Sequence, residues 1–147
     1  MVIRKAVLKD SKQLSELAYK SKAHWGYSEE FLEKCKHELA VTEEHIEQDY
    51  VYVLEDGSQI IGFYSLILNP QRLEAFFVDP TYIGKGMGTK LWEDMINRAE
   101  ELQMDEFVIE SDPNAEGFYL RKGAQRIGEI PSTLFSGRAL PKLLVRL

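Results

Sequence analysis

Two periodicities run along the chain, and their order outlines a fold. Runs rich in β-branched and aromatic residues at Val2 to Val7, Tyr50 to Leu54, Gln59 to Leu68, Arg72 to Val78 and Phe107 to Glu110 predict strands. Apolar spacings of three and four predict helices between them. The first carries Leu14, Leu17 and Ala18, the second Phe31, Leu32, Cys35 and Leu39, and the longest Leu91, Trp92, Met95, Ile96, Ala99 and Leu102. On the longest, Lys90, Glu93, Asp94 and Glu101 take the wet face. Asp10 with Gln13 three places on predicts a capping box, Ser28 caps the second helix, and Thr42 opens a short third one. The acidic pairs Glu29-Glu30 and Glu43-Glu44 then fall in first helical turns, where the peptide dipoles favour negative charge.

Turn residues divide the rest. Glu55-Asp56-Gly57-Ser58 predicts a hairpin, Asn69-Pro70-Gln71 a second reversal, and Asp112-Pro113 a break before a short helix from Asn114 to Arg121. Gly123 would end that helix in the left-handed conformation. Ala124 to Ile130 and Lys142 to Leu147 fit a closing hairpin around the loop Pro131 to Pro141. The order is therefore strand and helices, three antiparallel strands, helix, strand, helix, two strands. That is an α/β (α+β) arrangement, a mixed, mostly antiparallel central sheet flanked by helices. No repeat or linker divides residues 1–147, so one domain is expected.

Composition changes this picture mainly by exclusion. A 44% hydrophobic and 29% charged content is that of an ordinary globular protein. No apolar stretch near the start reads as a leader and none approaches the ~18 residues of a membrane span, so no membrane partner and a cytoplasmic location are expected. The single Cys35 excludes an internal disulfide, and with three scattered His it argues against a metal site. The net charge of -6, with no Lys/Arg block, argues against nucleic acid. An acidic surface suits cationic amines but names none.

The candidate chemistry lies in Val78-Asp79-Pro80-Thr81-Tyr82-Ile83-Gly84-Lys85-Gly86-Met87-Gly88, a strand end that enters alternating glycines and then the longest helix. Glycines allow an anion to approach the N–H groups that an opening helix leaves unpaired, and Lys85 adds positive charge. The Walker pattern fails, because no Ser or Thr follows Gly84-Lys85 and no Gly lies four places earlier. The dinucleotide pattern fails too, because the spacing is G-x-G-x-G.

The spacing resembles the acyl-CoA loop of the GCN5-related N-acetyltransferases, in which Arg or Gln is followed by two residues, Gly, one residue, and Gly or Ala. Ile83 to Gly88 occupy those six places, with Ile83 departing from the usual Arg or Gln. Asn114-Ala115-Glu116-Gly117-Phe118-Tyr119-Leu120-Arg121-Lys122-Gly123-Ala124 is similar to the family's later motif. The order of elements resembles the family along essentially the whole chain. This implies a sheet whose fourth and fifth strands splay apart, leaving a cleft where the pantetheine arm lies like an added strand.

The resemblance implies acetyl-CoA as co-substrate and no metal. Backbone groups of Phe76, Phe77 and Val78 would hold the arm and thioester carbonyl. Ile83, Gly84, Lys85, Gly86, Met87, Gly88, Thr89, Asn114, Phe118 and Lys122 would complete the cofactor contacts. Tyr119 stands where the family places a phenol near the sulfur, able to protonate the leaving thiolate; on its residue type alone it could equally be a core aromatic. Glu74 interrupts an apolar strand and is the candidate base, alternating with Phe76 and Val78 on one face, with partial burial raising its pKa. An electrostatic anchor, or water as base, are the alternatives. His24, Trp25 and Tyr27 would line the acceptor pocket or simply pack a helix connection, and Arg138 with Phe135-Ser136-Gly137 would border it or a subunit contact. The implied reaction moves an acetyl group to a primary amine of a small molecule by direct attack on the thioester. Acetylation of a protein lysine or N-terminus, and a non-catalytic acyl-CoA sensor, are the alternatives. A homodimer is compatible with the small size and apolar C-terminal hairpin.

Overall fold

Alternation of inward and outward residues builds the sheet, and its two faces gather two separate cores. A computed structural model describes residues 1–147. Its strands are β1 (Val2–Lys5), β2 (Tyr50–Asp56), β3 (Gln59–Leu68), β4 (Gln71–Val78), β5 (Glu106–Glu110), β6 (Gln125–Pro131) and β7 (Ala139–Arg146). Its helices are α1 (Ser11–Ala23), α2 (Glu29–Leu39), α3 (Glu43–Gln48), α4 (Met87–Glu101) and α5 (Glu116–Arg121). The seven strands run in the order β1-β2-β3-β4-β5-β7-β6, antiparallel except for β4 with β5.

On β2, Tyr50, Tyr52 and Leu54 face the core under α4, together with Tyr64, Leu66, Leu91, Trp92, Met95 and Phe107. Val51 and Val53 face the other way, with Phe63, Leu14, Leu17 and Ala18 under α1. β3 is buried on both sides, as a central strand covered by two helical layers must be.

Three local expectations change. β1 ends at Lys5, and a 3-10 turn at Leu8–Asp10 precedes α1. Asp10 does not cap α1 with a box to Gln13. Its carboxylate accepts the Val7 N–H (2.8 Å) and the Arg4 guanidinium (2.8 Å), because a guanidinium and a main-chain donor lie closer than the helix's own N–H groups. The closing hairpin forms with a shorter loop, since β7 begins at Ala139.

The feature that shapes the site is the end of the β4–β5 pairing. Only Arg72 and Val108 lie in register. From Glu74 to Val78 the β5-facing edge of β4 has no strand partner, so the sheet opens into a cleft. A bulge sits beside the opening. Leu66 pairs with Leu73 but Ser65 pairs with Ala75, leaving Glu74 as the extra residue. The bulge resets the alternation, so Leu73, Phe76 and Val78 pack toward α4 while Ala75 and Phe77 pack toward α1.

Candidate active site

The cleft between β4 and β5 encloses about 1010 Å³, at the top of the range for small-ligand sites. At one end stands the glycine loop. Asp79 ends β4 by accepting the Thr81 N–H (2.9 Å) and hydroxyl (2.8 Å), while Lys20 reaches it at 3.2 Å. Burial pushes its carboxyl up, but these donors outweigh burial and hold it below the usual carboxylate range. Ser21 Oγ donates to the Val78 carbonyl at 3.3 Å, so α1 pins the strand end from which the loop starts.

Gly84 (φ 81°) and Gly86 (φ 79°) are left-handed with open space where a Cβ would stand. Gly88 serves another purpose: a Cβ there would lie 3.1 Å from Phe118 Cε1, so the glycine lets α5 pack against the start of α4. The first bond of α4 runs from the Lys90 N–H to the Gly86 carbonyl (3.1 Å), leaving the N–H groups of Met87, Gly88 and Thr89 free at the cleft end. Lys122 Nζ donates to Thr89 Oγ1 at 2.6 Å, and Lys85 lies over the Tyr82 ring at 5.3 Å, adding cations at this end. Ile83 is 55% exposed at the mouth, offering an apolar surface where Arg or Gln would offer donors.

Phe76, Phe118 and Tyr119 form the aromatic wall at mid-cleft, with Phe76 and Phe118 centroids 5.6 Å apart, and Trp92 packs behind them in the core, 5.9 Å from Tyr119. Tyr119 is 6% exposed and borders the cleft, its hydroxyl free of partners within the chain. Burial, then the nearby Asp112 charge, raise its pKa, so the phenol stays protonated.

The far half is assembled from distant segments around Asp112. Its carboxylate accepts from Lys22 Nζ in a short contact, from the Tyr27 hydroxyl (2.9 Å), from the Asn114 N–H (2.8 Å) and side chain (3.0 Å), and lies 3.7 Å from Arg138. Burial acts to raise the Asp112 carboxyl, but the Lys22 bond and charge with the Asn114 and Tyr27 donors lower it overall. Tyr27 also accepts from Arg138 (3.0 Å), and burial followed by its bond to Asp112 pushes its phenol up to about 12. Tyr27, Phe31 and Phe135 stack at 4.2 and 4.4 Å, and Arg138 covers Phe31 at 4.7 Å. Cations over ring faces and one shared carboxylate thus tie α1, α2, the β5–α5 turn and the β6–β7 loop together.

The cleft unites Glu74, Phe76, Phe77, Val78, Ile83, Gly84, Gly86, Gly88, Thr89, Asn114, Phe118 and Tyr119, with His24 and Trp25 at its edge. Lys85, Met87, Lys122 and Tyr27 do not line it, although Lys85 is exposed beside the loop and Lys122 reaches the lining residue Thr89. Tyr27 is therefore a strut in the Asp112 network, because its hydroxyl is occupied three ways. Glu74 departs from expectation: it is 44% exposed, ion-paired with Arg72 at 2.6 Å, and the bulge takes it off the face of Phe76 and Val78. Asp112 was legible only as a helix breaker before proline, since its partners lie up to 90 residues away.

An acetyltransferase (GNAT) domain family model matches residues 9–131. The peptidyl-lysine N-acetyltransferase YjaB of Escherichia coli K12 is 33% identical over 75 residues, 51% of this chain and 48% of YjaB, so the chain spans about half the length of that curated relative. A GCN5-related N-acetyltransferase from Rhodopseudomonas palustris superposes with a TM-score of 0.85 at 19% identity over 99% of this chain and 95% of its own. The PaiA N-acetyltransferase of Thermoplasma acidophilum, solved with coenzyme A, gives 0.80 at 20% identity over 99% and 98%.

Proposed function

The chain belongs to the GNAT acetyltransferase family, and we propose that it is a cytoplasmic enzyme that transfers an acetyl group from acetyl-CoA to a primary amine of a small molecule. The observation that carries this reading is the single β4–β5 register pair, which opens one cleft onto both the free N–H groups of α4 and the phenol of Tyr119. In this reading the α4 N–H groups, Lys85 and Lys122 receive the pyrophosphate. The unpaired edge of β4 at Phe76, Phe77 and Val78 receives the pantetheine arm and thioester carbonyl. The amine lone pair attacks the thioester carbon, a C–N bond forms and the C–S bond breaks. Tyr119 gives its proton to the departing sulfur and is reprotonated from solvent, while water accepts the proton lost by nitrogen. Glu74, held by Arg72, acts as an electrostatic anchor for the incoming ammonium; its exposure and ion pair favour that role over general base.

A small acceptor is favoured over a protein lysine because the Asp112 network closes the far half with side chains from four segments, narrowing the approach that a peptide would need. The likeness to YjaB keeps peptidyl lysine as the second reading. The test is a calorimetric titration with acetyl-CoA against NADH, followed by thiol release with panels of amines and lysine peptides. Saturable binding of acetyl-CoA alone with amine-dependent release supports the proposal. Binding without release from any acceptor points to a sensor, and no binding removes the activity.

A further inference from the structure

Resting on the acetyl-transfer reading above, we infer that the last turn of α1 is a staple that fixes how far β4 and β5 splay, and that Lys20 and Lys22 are positioning residues coupling the two ends of the cleft. Three consecutive residues grip the two sides of the opening. Lys20 Nζ donates to the Asp79 carboxylate (3.2 Å) and Ser21 Oγ to the Val78 carbonyl (3.3 Å), both at the end of β4. Lys22 Nζ donates to Asp112, two residues past the end of β5. Residues two apart on a helix point about 200° from each other around its axis, so Lys20 and Lys22 reach to opposite sides. Tyr27, beyond the helix, adds its hydroxyl to the same Asp112 carboxylate (2.9 Å).

Each foot of the staple is tied to a strand outside the cleft. The Asp79 N–H donates to the Ile61 carbonyl of β3 (2.7 Å), and the Ser111 N–H, beside Asp112, donates to the Pro141 carbonyl of β7 (2.9 Å). The staple therefore joins two half-sheets, β1 to β4 and β5 to β7, which share one register pair at Arg72 and Val108. Leu14, Leu17 and Ala18 pack α1 with Ala75 and Phe77 of β4, so the helix belongs to the β4 side and Lys22 is its reach across the opening. Both carboxyls are ionised at neutral pH, since burial, which alone would raise them, is outweighed by their donors. On the other face rings span the opening, Phe76 with Phe118 at 5.6 Å and with Tyr119 at 6.1 Å. Ring pairs tolerate centroid separations of about 4.5–7 Å, whereas a hydrogen-bonded ion pair holds to about 2.7–3.2 Å, so the staple is the stricter gauge of width. A pantetheine arm lying as an added strand needs β4 and β5 held about 9–10 Å apart, two strand spacings, and the same width sets the approach of the acceptor.

Lys20→Met and Lys22→Met, singly and together, test this by calorimetry with acetyl-CoA and by hydrogen exchange of the protein alone. Methionine keeps the aliphatic stem and removes the ammonium. Lys22 touches nothing in the glycine loop, yet Lys22→Met should raise the acetyl-CoA Kd about threefold and speed exchange of the Asp79 and Thr81 amides. Lys20 touches nothing at Asp112, yet Lys20→Met should speed exchange of the hydrogen-bonded Ser111, Asn114 and Ala115 amides about threefold, with β2 unchanged. The double variant should bind acetyl-CoA no more weakly than the worse single one, because cutting either leg already opens the staple. Effects confined to the strand end each lysine touches, effects that add, or faster exchange throughout the chain overturn the inference. Should Lys22→Met fail to fold, Lys20→Met, whose side chain is 53% exposed, decides through exchange at Ser111 to Ala115. A protein that binds no acetyl-CoA refutes the acetyl-transfer reading itself, while the exchange comparison, which needs no cofactor, still decides the staple.

Discussion

The glycine-loop end of the cleft, the proposed cofactor end, comes mostly from one continuous stretch, Val78 to Thr89, whereas the far end, the proposed acceptor end, joins Lys22, Tyr27, Asp112 and Arg138 through contacts between residues as many as 111 positions apart. The first end works through main-chain N–H groups, which need only a strand end, two left-handed glycines and a helix start. The second works through side chains whose charges are set by neighbours brought in from four segments. One design tolerates sequence change wherever the backbone conformation survives. The other fails when a single member is lost.

The largest expected effect lies where the two ends meet. Tyr119→Phe should lower kcat about 100-fold with acetyl-CoA affinity unchanged, as stopped-time thiol release and calorimetry would register. A normal kcat would assign Tyr119 to packing alone. At the cofactor end, Gly86→Val forces a β-branched residue to φ 79°, strain of about 1–3 kcal/mol, and should raise the acetyl-CoA Kd roughly tenfold to 100-fold. If Kd holds, the loop does not carry the binding.

At the acceptor end, Asp112→Asn leaves Lys22 and Arg138 facing each other without their shared carboxylate. Urea unfolding should show a loss of about 2 kcal/mol, and KM should rise for the acceptor more than for acetyl-CoA. A uniform change in both KM values would erase the distinction between the halves. The same pair gives a pH signature. The folded Asp112 carboxyl is held below its ordinary 3.8, so its contribution is complete above that value and is lost as pH falls through the lower folded value. The stability gap between parent and Asp112→Asn should therefore stay flat at neutral pH and close only in acid below 3.8. A gap that closes at pH 6 would show that another group titrates there. The smallest effect is a gain: Ile83→Arg should tighten acetyl-CoA about twofold to fivefold, in the range of an exposed ion pair.

Most strands and helices were legible because each buries one face in a period that survives in the sequence, as with Tyr50, Tyr52 and Leu54 against Val51 and Val53. The glycine loop was legible for the same local reason. Glu74 was misjudged because a bulge shifts alternation by one residue and leaves no mark in residue types. Asp10 was misjudged because Arg4 competes for its carboxylate. Asp112 could not be found at all, since a carboxylate beside a proline looks the same whether it faces water or four partners.

The sequence by itself determined the order of elements, the glycine loop before α4, and membership in the GNAT acetyltransferase family. Those depend on local conformational freedom and short-period burial, which neighbouring residues settle. Only the tertiary structure decided that β4 parts from β5 after Arg72 and that Lys22, Tyr27, Asp112 and Arg138 form one network. Solvation and Coulomb interactions fix the character of those groups, and both depend on distance through space and not along the chain.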